Sequence, residues 1–484
     1  MTDPLISLDR IRDSQPADPG NTRWRAVLSR TWPLNRAHAG ADMRRAYHML
    51  AEAYPDTRVL SYPSGEDCGS WTAPPEWEVN HARLTGADGV VYADWHAHPL
   101  YLFTYSPAFS GTLSRQDLEP HLFSAPGRPD IVPFHFRNQY RHWETEWGFC
   151  LPHRVHAALP DQDYRVDIDT TFTPGAMDMV EQVHVGESAD SLLLIGHFDH
   201  PAMANDGLVG CLAGHEALAR LAGRRTRLTY RMLSSVEIVG SVFYAGREAK
   251  ANSVREALFL AMPGADAPLR YATSFGGNAF VDRAARHVLS IADPEAPIIP
   301  FRSPDGYGND EIAFDVAGIN IPCGSLQRFP FVDYHSDRDT PAVTRDDHFE
   351  AFVDLILKII DIAERNSRLV PRFTGLPCTS KPDIDLYLAP PGFSNTRQQP
   401  NRTTLELLDR LETDADRETA GRFGRNFNNL MNYLPAIADG RATTLDLAEA
   451  ANVPFAVADV FTDMWVEKGL LDKPWSPPFG GAPS

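Results

Sequence analysis

Residues 191–210, SLLLIGHFDHPAMANDGLVG, constrain this chain more than any other stretch. Leu192, Leu193, Leu194 and Ile195 form a short apolar run that stops at Gly196. Such a run predicts a strand buried on both faces, hence a central strand of a sheet. His197, Asp199, His200 and, after a loop, Asp206 follow at its end. Leu208, Cys211, Leu212 and Leu218 then recur at helical spacing. In open α/β sheets, ligand sites collect at the carboxyl ends of strands. Two imidazoles and two carboxylates suit zinc better than calcium or magnesium, which prefer oxygen alone. The alternative is a surface loop with ordinary hydrogen bonds.

A chain of 484 residues is long for a single core, so more than one domain is expected. Around the central stretch, strands alternate with helices. Strands are expected at 191–195, 228–235 and 257–262, and helices from about 206 and at 242–252, 281–290 and 349–365. That order predicts a mixed, largely parallel sheet sandwiched by helices. Residues 20–61 and 162–375 would form this discontinuous α/β domain, with YRVDIDTTF (164–172) as one of its strands. Residues 62–161 change texture: Pro, Trp, Tyr, Phe and His become dense and helical periodicity disappears. They read as an inserted, mostly β domain. Its Phe136, Tyr140, Trp143, Trp147 and Phe149 either line a cleft or fill the insertion's own core.

Residues 1 to about 20 read as a loose arm and 376–400 as a Pro-rich linker. Residues 401–484 are helical. Thr443 and Asp446 form a capping-box pattern, and a turn at 452–454 leads to a second helix, as in a winged-helix module. DNA readers need basic groups, whereas here acids outnumber bases and the whole chain carries a formal charge of −19. Nucleic acid is therefore not the expected partner. The five cysteines are scattered without CxxC spacing, as in a reducing compartment. With no secretory leader pattern and no membrane-length apolar run, a cytoplasmic protein without membrane contact is expected. A homo-oligomer is left open.

Other polar clusters also stand at borders between regular and irregular segments. Glu237 follows an apolar strand, where burial would raise its pKa toward that of a general base. Asn309, Asp310 and Glu311 follow a Gly-rich loop, and His335 lies in YHS. Four such borders point to one composite site.

The order H-x-D, N-D-G, a Glu three residues before G-S, N-D-E and Y-H-S resembles the zinc aminopeptidase family, which includes single-zinc glutaminyl cyclases. HFDHPAMANDGLVG, SVEIVGS and GYGNDEIAFDVAGINIP resemble more closely a bacterial group of aminopeptidase-like proteins. That group has an inserted β domain and a C-terminal winged helix. The resemblance implies Asp206, His335 and one or both of His197 and His200 as metal ligands, with Asp199 behind His197 to orient its ring. It implies Glu237 as catalytic base and Asp310 as an aspartate holding substrate or ligand; should Glu237 prove to be a ligand instead, Glu311 is the next candidate for the base. It also implies a cis Asp206–Gly207 peptide; a trans bond with Gly207 opening the helix is the alternative. Two features depart from the di-zinc pattern. Val236 and Ile238 flank Glu237, so its usual Glu partner is missing, and Ala261 stands where an aspartate ligand is usual. One zinc per chain and hydrolysis of a short peptide or amide-linked metabolite are therefore expected. Acyl transfer or cyclisation by a single zinc is the first rival, and a non-catalytic binding protein the second.

Overall fold

Every residue of strand Ser191–His197 is buried, and the strand lies inside an eight-stranded sheet. Its apolar run has no polar face to give to water, so both neighbours must be strands and both faces covered. Thr229–Ser235 and Val254–Ala261 flank it, and both pairings are parallel. Cys323–Arg328 continues the parallel set beyond Val254–Ala261. Ala176–His184 and Thr57–Pro63 add antiparallel strands on one side, and Leu269–Ala272 with Ile298–Ile299 complete the other. The sheet is mixed and largely parallel at its centre. Helix Gly210–Arg220 follows the central strand, and Tyr47 of helix Ala41–Ala53 stacks on Phe198.

The computed structural model describes residues 22–304, 308–389 and 400–479. The arm expected at 1 to about 20 lies outside them, as do residues 305–307 of the Gly-rich loop and 390–399 of the expected linker. The described residues of 1–277 and 297–354 form one compact unit. Those of 278–296 and 355–484 form the other, so helix Asp346–Arg365 is divided between the two.

Within the first unit, a second, antiparallel sheet runs Val91–Asp94, Glu76–Gly86, Tyr164–Thr173, Phe109–Leu113. Tyr164–Thr173 therefore belongs here and not, as expected, with the large sheet. Its period-two alternation buries Tyr164, Val166 and Ile168 in the small sheet's core with Trp77, Phe103, Trp147 and Phe149. The helix expected at 242–252 is Val239–Arg247, displaced toward the preceding strand.

In the second unit, Thr443 and Asp446 make the expected capping box on helix Thr444–Ala451. Asn452 in the left-handed region ends that helix, and helix Phe455–Glu467 follows. Strand Leu471–Asp472 pairs antiparallel with Val370–Pro371. Leu386 and Leu388 of the expected linker are fully buried. No helix among the described residues is long and apolar enough to cross a membrane.

Candidate metal centre

His197 is the last residue of the central strand, and three imidazoles converge where the strand ends. His197 Nε2 lies 3.2 Å from Asp206 Oδ1, and His335 Nε2 lies 3.0 Å from Asp206 Oδ2. His200 Nδ1 is 3.6 Å from the same Oδ2. Both His197 and His200 thus face Asp206. Burial works against charge on each ring, yet the carboxylates outweigh it. Asp206 and Asp310 raise His197 well above its usual value, and Asp206 with Asp199 raises His200 to about 10. Burial opposes ionisation of Asp206, but His200, His197 and His335 hold it well below the carboxylate range. These are the partners a cation would replace.

His335 Nε2 and His200 Nδ1 lie close to Asp206 Oδ2, yet among the described residues none of these three buried atoms makes a hydrogen bond of good geometry. An unpaired buried polar atom costs about 1–3 kcal/mol. Two imidazole nitrogens facing one carboxylate oxygen without good hydrogen-bond geometry fit a cation bound among them. His197, His200 and Asp206 offer ligand atoms all within 4.8 Å of one another. A second such group, Asp199, His200 and Glu237, shares His200 with the first.

The backbone holds this cluster in strained form. His200, Ala202, Ile238 and His335 all have left-handed φ values, at 80°, 51°, 57° and 52°. Non-glycine residues persist there only where their surroundings over-determine them, and they gather at functional sites. The peptide Asp206–Gly207 is cis. A Cβ at Gly207 would lie 1.9 Å from His197 Cδ2, so only glycine lets the chain pass this close to the imidazole.

Several supports carried no local signal in the sequence. Arg36 is fully buried and donates to the carbonyls of Phe198 (2.9 Å), His200 (2.8 Å) and Met203 (2.6 Å), clamping the histidine loop. Asp339 accepts the backbone N–H groups of Asn205 (2.8 Å) and Asp206 (2.9 Å). Burial and the nearby Asp206 charge push Asp339 up to about 7. Asp339 sits four residues after His335 in an Asp-rich stretch, the one hint available.

Asp310 faces the other side of His197. Its Oδ2 is 3.2 Å from His197 Nδ1, while Oδ1 accepts from Ile238 N (3.0 Å) and Ser241 Oγ (2.6 Å). Asp310 therefore orients the ring, the part expected of Asp199. Asp199 Oδ1 instead accepts from Glu237 N at 2.9 Å, and its Oδ2 lies 3.3 Å from His38. Asp199 lies in the loop two residues beyond the end of the strand, so strand alternation does not set its facing, and the two roles are exchanged.

Glu237 joins the cluster through His200, 3.0 Å from its Nε2, and takes hydrogen bonds from Tyr140 and from Asn309 Nδ2 (2.9 Å). Burial alone would raise its pKa, as expected from the sequence. His200 and Tyr140 overcome that and hold Glu237 below the usual carboxylate range. Glu311 is not brought to the cluster. Its Oε1 accepts from Asn309 N at 2.9 Å, its Oε2 has no hydrogen-bond partner among the described residues, and burial pushes it up to about 7. Of the aromatics, Trp147 and Phe149 fill the small sheet's core, whereas Phe136 stands 5.3 Å from the His335 ring. Tyr140 bonds Glu237, and Trp143 is exposed.

A profile of the family described as "Domain of unknown function (DUF4910)" matches residues 25–366, about seven-tenths of the chain. The chain belongs to this family. The DUF4910 chain is 27% identical over 343 residues to a Clostridium acetobutylicum protein, covering 70% of this chain and 77% of that protein. That protein is provisionally named for polysaccharide biosynthesis and an aminopeptidase-like domain. The crystal structure of a provisionally named peptidase from the same bacterium aligns with a TM-score of 0.75 at 24% identity. It covers 93% of this chain and 96% of that one. BSAP, a zinc aminopeptidase from Bacillus subtilis, aligns with a TM-score of 0.50 at 13% identity, over 70% of this chain and 93% of its own. The DUF4910 chain thus has the aminopeptidase-like fold.

Proposed function

We propose that this protein is a zinc-dependent hydrolase of peptide or amide bonds, with a short peptide or amide-linked metabolite as substrate. The carrying observation is the convergence of His197, His200 and His335 on Asp206, where three buried polar atoms make no hydrogen bond of good geometry among the described residues. We take these four residues as the ligands. Both candidate groups draw on His200 and Ala261 offers no ligand atom, which favours one zinc per chain.

A zinc ion held by these four residues would supply Lewis acidity to the scissile carbonyl. The chain's own residues do the rest. Glu237 is ionised and 14% exposed at its side chain, so it can take a proton from an incoming water and give it to the leaving amine. Tyr140 and Asn309 hold that carboxylate in one orientation. Asp310 fixes the His197 ring, and Asp339 fixes the backbone at Asp206. Phe134 and Phe136 pack beside His335 and limit water around it. In the C-terminal unit we favour a winged-helix-like packing or protein-contact module over a nucleic-acid reader, given its acidic balance.

Elemental analysis of protein purified without added metal, followed by a screen of aminoacyl and peptide amides, tests this reading. About one zinc per chain is expected, lost in Asp206→Ala together with activity. Absence of metal from both proteins, or two metals per chain in well-washed protein, would count against the proposed site.

A further inference from the structure

A second polar constellation lies in the first unit and shares no residue with the metal centre. Ser124 follows strand Leu122–Phe123, and His153 and His156 stand three apart on helix His153–His156, hence on one face. Ser124 Oγ is 2.8 Å from His156 Nδ1 and 3.0 Å from His153 Nδ1. His156 Nε2 lies 3.1 Å from Glu119 Oε2, and Glu119 also pairs with Arg115.

With neutral imidazoles, one arrangement of protons satisfies every bond. The Glu119 carboxylate can only accept, so His156 carries its proton on Nε2 and presents a lone pair at Nδ1. The Ser124 hydroxyl donates into that lone pair. Its oxygen then accepts from His153 Nδ1–H, which holds the hydroxyl proton toward His156. A hydroxyl, an imidazole that can take its proton and a carboxylate orienting that imidazole are the parts of an activated nucleophile, recognised by geometry and not by chain order. Ser124 is half-buried, while Phe123 beside it is 39% exposed and offers apolar surface to an acyl group arriving from solvent.

We propose that Ser124 is a second nucleophile of this chain, activated by His156 and Glu119 and acting on small, activated carboxylic esters. The Ser124 oxygen bonds to the acyl carbon as its proton passes to His156 Nδ1. The bond to the alcohol oxygen breaks, and His156 returns the proton to the departing alcohol. Water repeats the sequence on the acyl-serine and releases the acid. Glu119 stays ionised throughout and steadies the imidazolium. His153 is a positioning residue that fixes the hydroxyl rotor.

The test uses the full chain, treated with EDTA so that chemistry needing the metal is silent, and a fluorophosphonate probe with peptide mapping by mass spectrometry. Ser124 should be phosphonylated, Ser124→Ala should remove that label, and His156→Gln should slow it roughly 100-fold, the range of a lost general base. Glu119 is half-exposed, so Glu119→Gln leaves the fold intact. Should His156→Gln fail to fold by circular dichroism, a slower rate in Glu119→Gln decides in its place. No label on Ser124 in the unaltered protein, or a rate at Ser124 unchanged by the deciding variant, overturns the proposal.

Discussion

Asp310→Asn tests the metal centre without touching a proposed ligand. Asp310 is fully buried, and its two oxygens serve three donors: Ile238 N, Ser241 Oγ and His197 Nδ1. An asparagine of the same shape keeps one acceptor. Left with Ile238 and Ser241, that oxygen places Nδ2 against His197 Nδ1. Metal binding through Nε2 requires the proton on Nδ1, so two N–H groups would then face each other. Flipping the amide restores the bond to His197 but leaves Ile238 N–H buried without an acceptor, at about 1–3 kcal/mol. Either orientation weakens the site. Loss of a carboxylate behind a ligating histidine lowers metal affinity about 10- to 100-fold, equivalent to about 1.4–2.8 kcal/mol. Zinc titration against a chromophoric competing chelator at neutral pH would measure this directly. A variant that binds zinc within twofold of the unaltered protein would refute the assigned role of Asp310.

Three further outcomes are expected. Gly207→Ala would set a Cβ 1.9 Å from His197 Cδ2 and 2.4 Å from the His197 carbonyl oxygen, so it should abolish metal retention in elemental analysis. Glu237→Gln should retain zinc and lose about 10²- to 10⁴-fold in turnover; loss of the metal instead would make Glu237 a ligand. Glu311 should make stability fall with rising pH. Its folded value of about 7 exceeds its ordinary 4.5, so its contribution is full below about pH 4.5 and is lost as pH rises through 7. Glu311→Gln removes that loss, worth about 3 kcal/mol, so its melting-temperature advantage should grow between pH 5 and 8. An advantage constant across that range would contradict the assignment.

The central strand and its histidines were legible because a continuous apolar run admits few placements and the ligands stand beside it in sequence. Helix Asp346–Arg365 was legible from its long period, within three residues at its start. What escaped depended on direction in space. Tyr164–Thr173 announced itself as a strand through alternation, but nothing in that alternation says which sheet receives it. Asp199 and Asp310 could not be told apart as partners of His197, because Asp199 lies in the loop past the strand's end and Asp310 comes from a loop more than a hundred residues away. Glu237 was expected to have a raised pKa from burial alone. The low value reflects His200 and Tyr140, neither a sequence neighbour.

The clamp made by Arg36 also bears on how the molecule can be cut and how it must mature. The carbonyls it gathers lie 162, 164 and 167 positions downstream, and His335 arrives later still. A fragment beginning after residue 40 would carry every proposed ligand yet lack the side chain that gathers the loop bearing two of them. During synthesis, Arg36 has the nearby carbonyls of Thr31 and Trp32 within reach at once, but the loop carbonyls it gathers arrive only after much of the unit is made. Chain continuity from the first helix to His335, and not possession of the ligands, is what a minimal active fragment would have to preserve.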